Sequence, residues 1–416
     1  MVLAADVVVI GGGPAGAAAA IRLARAGRDV TLVDKARFPR DKVCGDGLTA
    51  GALRLLEGLG LGAGRVASWQ RVDDVVVRGP AGFEATFPLP HGDGTYAAVA
   101  RRTDLDAALL DDARTAGAKV LDGHASTAAT EHDNHVALTV DGVGEVTAAY
   151  AVAADGMWSP TRKHLGLATP GYRGEWHAFR QYYGSVGPRA ARELFVWFEP
   201  DLLPGYAWSF PLPGGRANVG FGIVRGERVE RIQDMAGIWR DLLDRPHIRR
   251  ILGDAAAPES PHRAWPIPAR VDEAVLTGHR TLFVGDAAAA GDRLTGEGIG
   301  QALLTGILAA EAITGGAGGT AGGTGGDDAS PGVVTARYRR SVRRALVADH
   351  RLSTLLIRAV RHRKGVRAGL RLAGATDWTR RNFARWMFED YPRALLATPG
   401  RWQRGAVSGD GAYAAR

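Results

Sequence analysis

Sulfur is scarce in this chain: its 416 residues include one cysteine, Cys44, and four methionines. A single cysteine excludes an intrachain disulfide and any multi-cysteine metal site, so a role for Cys44 would be that of a thiol. A reducing cytoplasm is the expected setting. Long apolar runs are missing too, since none reaches the roughly 20 residues that a membrane span needs. The N-terminus lacks the basic, apolar and small-residue succession of an export signal, because Asp6 and the glycines from Gly11 interrupt it. The chain is therefore expected neither to be exported nor to cross a bilayer. Acid is scarce in one region: from Arg337 to Arg371 the many basic residues face a single acid, Asp349.

What is present is ordinary for a globular protein, with 46% hydrophobic and 23% charged residues and enough chain for two domains or one elaborated one. The net charge of +8 is compatible with nucleic acid, an anionic membrane surface or an acidic ligand. Its concentration in 337–371 narrows these. Leu346, Leu352, Leu355, Leu356, Val360, Val366 and Leu370 are interleaved there at mostly three- and four-residue steps, the pattern of amphipathic helix. Such helices either pack on their own core or lie on an anionic membrane as a peripheral contact. Nucleic acid is not expected, since the aromatic interleaving that stacks on bases is lacking.

The chemistry begins at the N-terminus. Asp6 to Ile10 form a short apolar run, followed by Gly11-Gly12-Gly13-Pro14-Ala15-Gly16, an Ala-rich helix to Gly27, and a second strand from Val30 to Val33 that ends at Asp34. This is one βαβ start. Gly11, Gly13 and Gly16 have the G-x-G-x-x-G spacing, whose missing side chains allow a tight turn and close approach of a pyrophosphate to free helix N–H groups. Asp34 is placed to accept hydrogen bonds from the adenosine ribose. A bare glycine fingerprint can be a ligand-free turn, but strand, helix and acid together make it a dinucleotide site. NAD and FAD share the adenosine diphosphate half, so the fingerprint alone does not choose between them.

Later segments choose FAD. Asp155-Gly156-Met157-Trp158-Ser159-Pro160-Thr161-Arg162 resembles the D-G-x-x-S-x-x-R segment of flavin enzymes related to the aromatic hydroxylases. Gly285-Asp286, continuing to Leu294-Thr295-Gly296-Glu297-Gly298-Ile299, resembles their G-D motif, whose Asp holds the flavin ribityl chain. No second G-x-G-x-x-G occurs, so a dedicated nicotinamide domain is not expected; NAD(P)H visiting the flavin, or another electron donor, must reduce it.

Two further segments narrow the resemblance. Phe38-Pro39-Arg40-Asp41-Lys42-Val43-Cys44-Gly45-Asp46-Gly47-Leu48 and Leu203-Pro204-Gly205-Tyr206-Ala207-Trp208-Ser209-Phe210-Pro211 look like signatures of the geranylgeranyl reductase family, which uses FAD to saturate carbon–carbon double bonds in isoprenoid chains. The resemblance covers about residues 5 to 315. It implies flavin contacts at Ala15, Asp34, Cys44, Gly45, Gly47, Arg102, Ala125, Asp286, Gly298 and Ile299. Arg102 is preferred over Arg101 because it stands in the family's R-x-x-L-D spacing with Leu105 and Asp106. One departure is that Asp292 is followed by Arg293 where the family commonly has Pro, which is expected to put a cation near the isoalloxazine edge or the pocket mouth.

The expected fold is α/β: a Rossmann-type FAD-binding domain (1–72, 100–165 and 276–314), a β-sheet substrate domain of the aromatic-hydroxylase kind (73–99 and 166–275), a flexible Gly-rich loop (315–332) and basic C-terminal helices (333–416). Neither a metal cluster nor a Ser-His-Asp arrangement recommends itself, so the reactive atom is expected to be flavin N5. Cys44 is the candidate acid, because a free thiol with a pKa of about 8.5 is mostly protonated at neutral pH. Tyr206 and Trp208 alternate on a strand, so both rings share one face, either packed on the core or walling an apolar substrate. A flavin-dependent monooxygenase is the alternative enzyme, although the halogenase segment W-x-W-x-I-P is absent. A non-catalytic flavin redox sensor is the alternative outside enzymes. The oligomeric state is not legible.

Overall fold

A computed structural model describes residues 2–90, 94–226, 234–316 and 330–402. It opens with β1 (Val2–Ile10), α1 (Pro14–Arg25) and β2 (Val30–Asp34). The last four residues of β1 are apolar and buried, as a strand covered on both faces requires. Pro14 starts α1, where its missing N–H costs nothing. The alanines of α1 let it pack closely on the sheet and on a later helix.

β3 (Gly47–Thr49), α2 (Ala50–Gly58) and β4 (Gln70–Arg71) come next, then the hairpin of β5 (Asp74–Arg78) and β6 (Glu84–Pro88). β7 (Ala97–Val99) pairs with β3 and β4 in a small three-stranded sheet rather than with that hairpin. α3 (Arg102–Thr115) leads to β8 (Lys119–Asp122), and β9 (Ser126–Glu131), β10 (Val136–Val140) and β11 (Gly144–Ala153) form an antiparallel meander followed by α4 (Pro160–His164). The first large sheet runs β8-β2-β1-β11-β10-β9, with β1, β2, β8 and β11 parallel. The C-terminal ends of β1 and β2 therefore lie side by side, the place where open α/β sheets bind nucleotides.

β12 (Trp176–Gly184), β13 (Leu194–Trp197), β14 (Tyr206–Leu212) and β15 (Arg216–Val224) build the second large sheet, which β5 and β6 extend at one edge. α5 (Met235–Leu243) and α6 (Pro246–Leu252) cover one face, where Phe179, Phe195, Trp197, Phe221, Ile238 and Trp239 form a core. β16 (Ala257–Pro258) and β17 (Arg263–Ile267) pair along β12. The chain then returns to the first sheet through β18 (Thr281–Phe283), parallel to the end of β11, and α7 (Ile299–Thr314), which packs on α1.

Most of the Gly-rich segment, 317–329, and the tail 403–416 lie outside the described residues. α8 (Pro331–Val342) is tied to the first sheet, its Tyr338 hydroxyl donating to the Phe283 carbonyl at 2.6 Å. A π-turn leads into α9 (Ala348–Val360), α10 (Arg363–Ala373) and α11 (Asp377–Met387). Val366, Leu370, Ala373 and Ala384 join Val75, Val77 and Phe87 in one apolar cluster, so α10 and α11 close over the free face of the second sheet. The helical reading of 337–371 holds, and part of its apolar face is used as core. Among the described residues, no helix is long and apolar enough to cross a membrane.

Candidate functional site

One continuous cavity of about 850 Å³ runs from the glycine turn after β1 to the underside of α9, α10 and α11. Its nucleotide end is shaped by backbone. Gly11 has φ +106°, and a Cβ there would meet the Ala154 carbonyl oxygen at 2.3 Å. Gly16 does not line the cavity; a Cβ on it would lie 1.8 Å from the Gly11 oxygen, so its role is close packing of α1 on the turn. Gly13 caps α1 without a side chain, leaving the first-turn N–H groups uncontested by one. Asp34 at the end of β2 accepts from the Gly12 and Ala36 N–H groups at 2.6 and 2.8 Å. Asp155 accepts from the Thr161 N–H through one oxygen, while its other oxygen is buried without a partner. Ala15 and Ala125 also line this end. Bare first-turn N–H groups, the side-chain-free turn and an unpartnered carboxylate oxygen fit a dinucleotide.

The middle of the cavity holds Cys44, Gly45, Gly47, Arg102, Asp286, Gly298 and Ile299. Burial pushes the Cys44 thiol up to about 11, against the opposing pull of Arg102, so it stays protonated. Arg102 is held by two bonds of 2.7 Å to Asp106, which also accepts from Arg40. The Cys44 sulfur accepts from the Asp46 N–H at 3.3 Å, and the Cys44 carbonyl accepts from Asn218 Nδ2 at 2.8 Å. Asn218 binds Asp46 with the same nitrogen, at 2.9 Å, and its oxygen accepts from Trp208 Nε1 at 3.1 Å. Asp46 also accepts from the Tyr182 hydroxyl at 2.6 Å, and burial raises its carboxyl to about 6. Lys42 sits 4.1 Å over the Trp265 ring and 4.0 Å from Asp286, its ammonium pushed down by burial. Glu297 accepts from the Ile299 and Gly300 N–H groups at the start of α7; burial, then nearby Glu389, raises it to about 7.

The far end is apolar. Tyr206 and Trp208 lie with ring centroids 6.0 Å apart on the cavity side of β14, and Phe210 continues the row at 5.9 Å. Trp176 packs edge-on against Tyr206 at 5.8 Å. Gly220 across the strand pair makes room, because a Cβ there would lie 2.4 Å from the Trp208 ring. Opposite stand Leu356, Val360, Val366 and Leu370 from the C-terminal helices.

Sequence reasoning named neither these helices as a cavity wall nor Trp176, Lys42 and Asp46 as lining residues. Lys42 and Asp46 lay inside a quoted signature and could have been weighed singly, whereas nothing local marked the others. Arg293 itself is not among the residues that line the cavity, although its neighbours Leu294 and Thr295 are. Asp292 Oδ1 accepts from the Leu294 and Thr295 N–H groups, forming a tight turn in which Arg293 contributes only its carbonyl, to Trp176 Nε1 at 2.9 Å.

A parallel βαβ nucleotide site joined to an apolar chamber defines an FAD-dependent oxidoreductase. Comparison with known proteins agrees: the FAD binding domain family model matches residues 4–322. The menaquinone reductase of Mycobacterium tuberculosis is 38% identical over 335 residues, covering 74% of this chain and 76% of that protein. Digeranylgeranylglycerophospholipid reductase 2 of Methanopyrus kandleri is 34% identical over 313 residues, with 74% and 76% covered. A geranylgeranyl bacteriochlorophyll reductase-like protein from Thermoplasma acidophilum superposes with a TM-score of 0.76 at 20% identity, over 97% of this chain and all of that one. A flavin-dependent brominase gives 0.73 at 19% identity, over 95% and 98%, which speaks to the fold alone. The chain belongs to the geranylgeranyl reductase family of FAD-dependent oxidoreductases.

Proposed function

We propose that this protein saturates carbon–carbon double bonds in a long isoprenoid chain, carried by a polyprenyl quinone or a prenylated lipid. The observation that carries this reading is the continuity of the cavity, in which the Cys44 segment leads without a break to an aromatic and aliphatic chamber. The substrates in the names of the sequence relatives are of the same chemical class.

Bound FAD would supply the hydride to one alkene carbon. Gly11, Gly13, Ala15 and the first turn of α1, packed close by Gly16, would hold its pyrophosphate, Asp34 and Ala125 the adenosine side, and Asp286 the ribityl chain. Asp155, Gly45, Gly47, Arg102, Gly298 and Ile299 would border the rest of the cofactor. Cys44 donates the proton to the other alkene carbon; its raised pKa keeps that proton available across the physiological range. An isolated alkene is poorly polarised, so rate depends on alignment, which Tyr206 and Trp208 provide as a rigid wall in a chamber that excludes water. NAD(P)H or another carrier reduces the flavin, and the protein works at the inner face of the membrane as a peripheral enzyme.

The test is anaerobic reduction of the purified flavoprotein followed by addition of menaquinone or geranylgeranyl diphosphate. Reoxidation with a product that carries two added hydrogens in its isoprenoid chain, the quinone ring left oxidised, is expected. Fast oxygen consumption with a hydroxylated product would replace this reading by a monooxygenase. Cys44→Ser should retain flavin and slow substrate-dependent reoxidation by about 100-fold, the usual contribution of a positioned acid.

A further inference from the structure

The residues that are both solvent-exposed and part of the cavity lining fall into two groups. Lys35, Trp158 and Pro160 lie near the nucleotide end and Arg263 beside Asp41 of the Cys44 segment, whereas Ala359 and Gly369 lie at the other extreme, on α9 and α10. The cavity lining therefore reaches the surface at a second place, on these helices. At Gly365, in the first turn of α10, a Cβ would lie 2.1 Å from the Ala359 carbonyl, the close contact of the α9–α10 connection, whereas at Gly369 a Cβ would meet nothing within 4 Å.

The outer surface of α9 and α10 has a defined character. Arg358, Arg363, Lys364, Arg367 and Arg371 are exposed and carry no ion pair among the described residues. Large apolar side chains stand among and beside them, with Leu355 59% exposed, Leu372 72% and Trp378 61%. Val366, Leu370 and Ala373 of α10 are buried, so its cations occupy the outer face. A cationic face studded with protruding apolar side chains complements an anionic lipid surface: the cations meet headgroups and the apolar residues enter the acyl boundary.

We infer that α9 and α10 dock on an anionic bilayer and that the place at Ala359 and Gly369 is the door through which an isoprenoid chain passes from the bilayer into the cavity. This inference rests on the substrate class proposed above. It assigns the basic segment a transport role in addition to covering the core.

The full flavoprotein is sedimented with vesicles of phosphatidylglycerol and phosphatidylcholine, and with phosphatidylcholine alone, at low and high salt. Binding should require the anionic lipid, fall with salt, and drop at least about 100-fold in the triple variant Arg363→Gln, Lys364→Gln, Arg367→Gln, since each cation near such a surface contributes about fivefold. A second variant tests the door. Gly369→Trp, at an open position, should keep its flavin and its vesicle binding but slow side-chain saturation of vesicle-embedded menaquinone more than about tenfold, with side-chain saturation of a short-chain water-soluble menaquinone analogue slowed much less. Equal recovery in the supernatant with both vesicle types overturns the docking surface, as does a change in oligomeric state of the triple variant without vesicle binding, which would make the face a contact between copies. Unchanged turnover of vesicle-borne menaquinone by Gly369→Trp overturns the door. The soluble analogue separates the two readings: if the parent protein saturates its side chain while vesicles are ignored, the substrate class stands and the membrane route falls.

Discussion

The two ends of the cavity are built on different principles. The nucleotide end is made of main chain: Gly11 and Gly16 leave no space for a Cβ, and the helix that follows presents bare N–H groups. The apolar end is made of side chains from β12, β14 and the last three described helices, which meet only in the folded protein. A site made of backbone accepts one ligand shape and tolerates almost no substitution, because a clash with main chain has nothing to move aside. A site made of side-chain volume can be reshaped one residue at a time. Cofactor choice is thereby fixed while substrate choice stays adjustable.

The comparison can be broken or sharpened by substitution. The largest effect is expected from Gly16→Val, whose Cβ would overlap the Gly11 oxygen; a loss of about 4 kcal/mol or more, and no folded flavoprotein, should be seen in thermal denaturation and flavin absorbance. A folded, yellow variant would show that the turn can yield.

Next comes Asp46, at the seam between the two ends. Its carboxyl is raised to about 6 from the usual 3.8, so ionisation disfavours the folded state: stability is fully present below about pH 4 and is lost as pH rises through 6. The loss is roughly 3 kcal/mol by linkage. Asp46→Asn cannot ionise, so its melting temperature should gain on the parent between about pH 4 and pH 7. A constant difference across that range would place the carboxyl in contact with solvent.

Asp286→Ala should weaken FAD between about 10-fold and 100-fold while leaving the fold intact, the size of a hydrogen bond to a charged group. Flavin titration of the apoprotein checks it, and undiminished affinity would remove Asp286 from the cofactor site. The smallest effect is expected at the adjustable end. Leu370→Trp adds volume to the chamber and should raise KM for long-chain substrates about tenfold with flavin affinity unchanged. Equal losses for cofactor and substrate would erase the distinction between the ends.

Legibility in the sequence follows the same division. Gly11 and Gly16 were readable because backbone geometry restricts residue type at fixed spacing, and a restriction of that kind is local. Tyr206 and Trp208 were half readable, since alternation gave them a shared face but not what that face looks at. Val366 and Leu370 were seen as the apolar stripe of a helix, whereas their partners Val75, Val77 and Phe87 are brought to them only by tertiary packing. The turn at Arg293 was not readable, because it depends on one Asp292 oxygen binding two N–H groups, a choice that spacing does not announce.

Asn218 has a consequence for how such an enzyme could be re-targeted. Its one amide group grips the Trp208 ring, the carbonyl of the cysteine and the buried Asp46, so the wall proposed to meet the substrate and the loop that carries the thiol form a single mechanical unit. Reshaping position 208 for a bulkier or shorter chain releases one arm of that amide and leaves the other two under-constrained. New substrate scope would then be gained together with looser aim at the reacting carbon, and residues 208 and 218 have to be exchanged as a pair for the two to be separated.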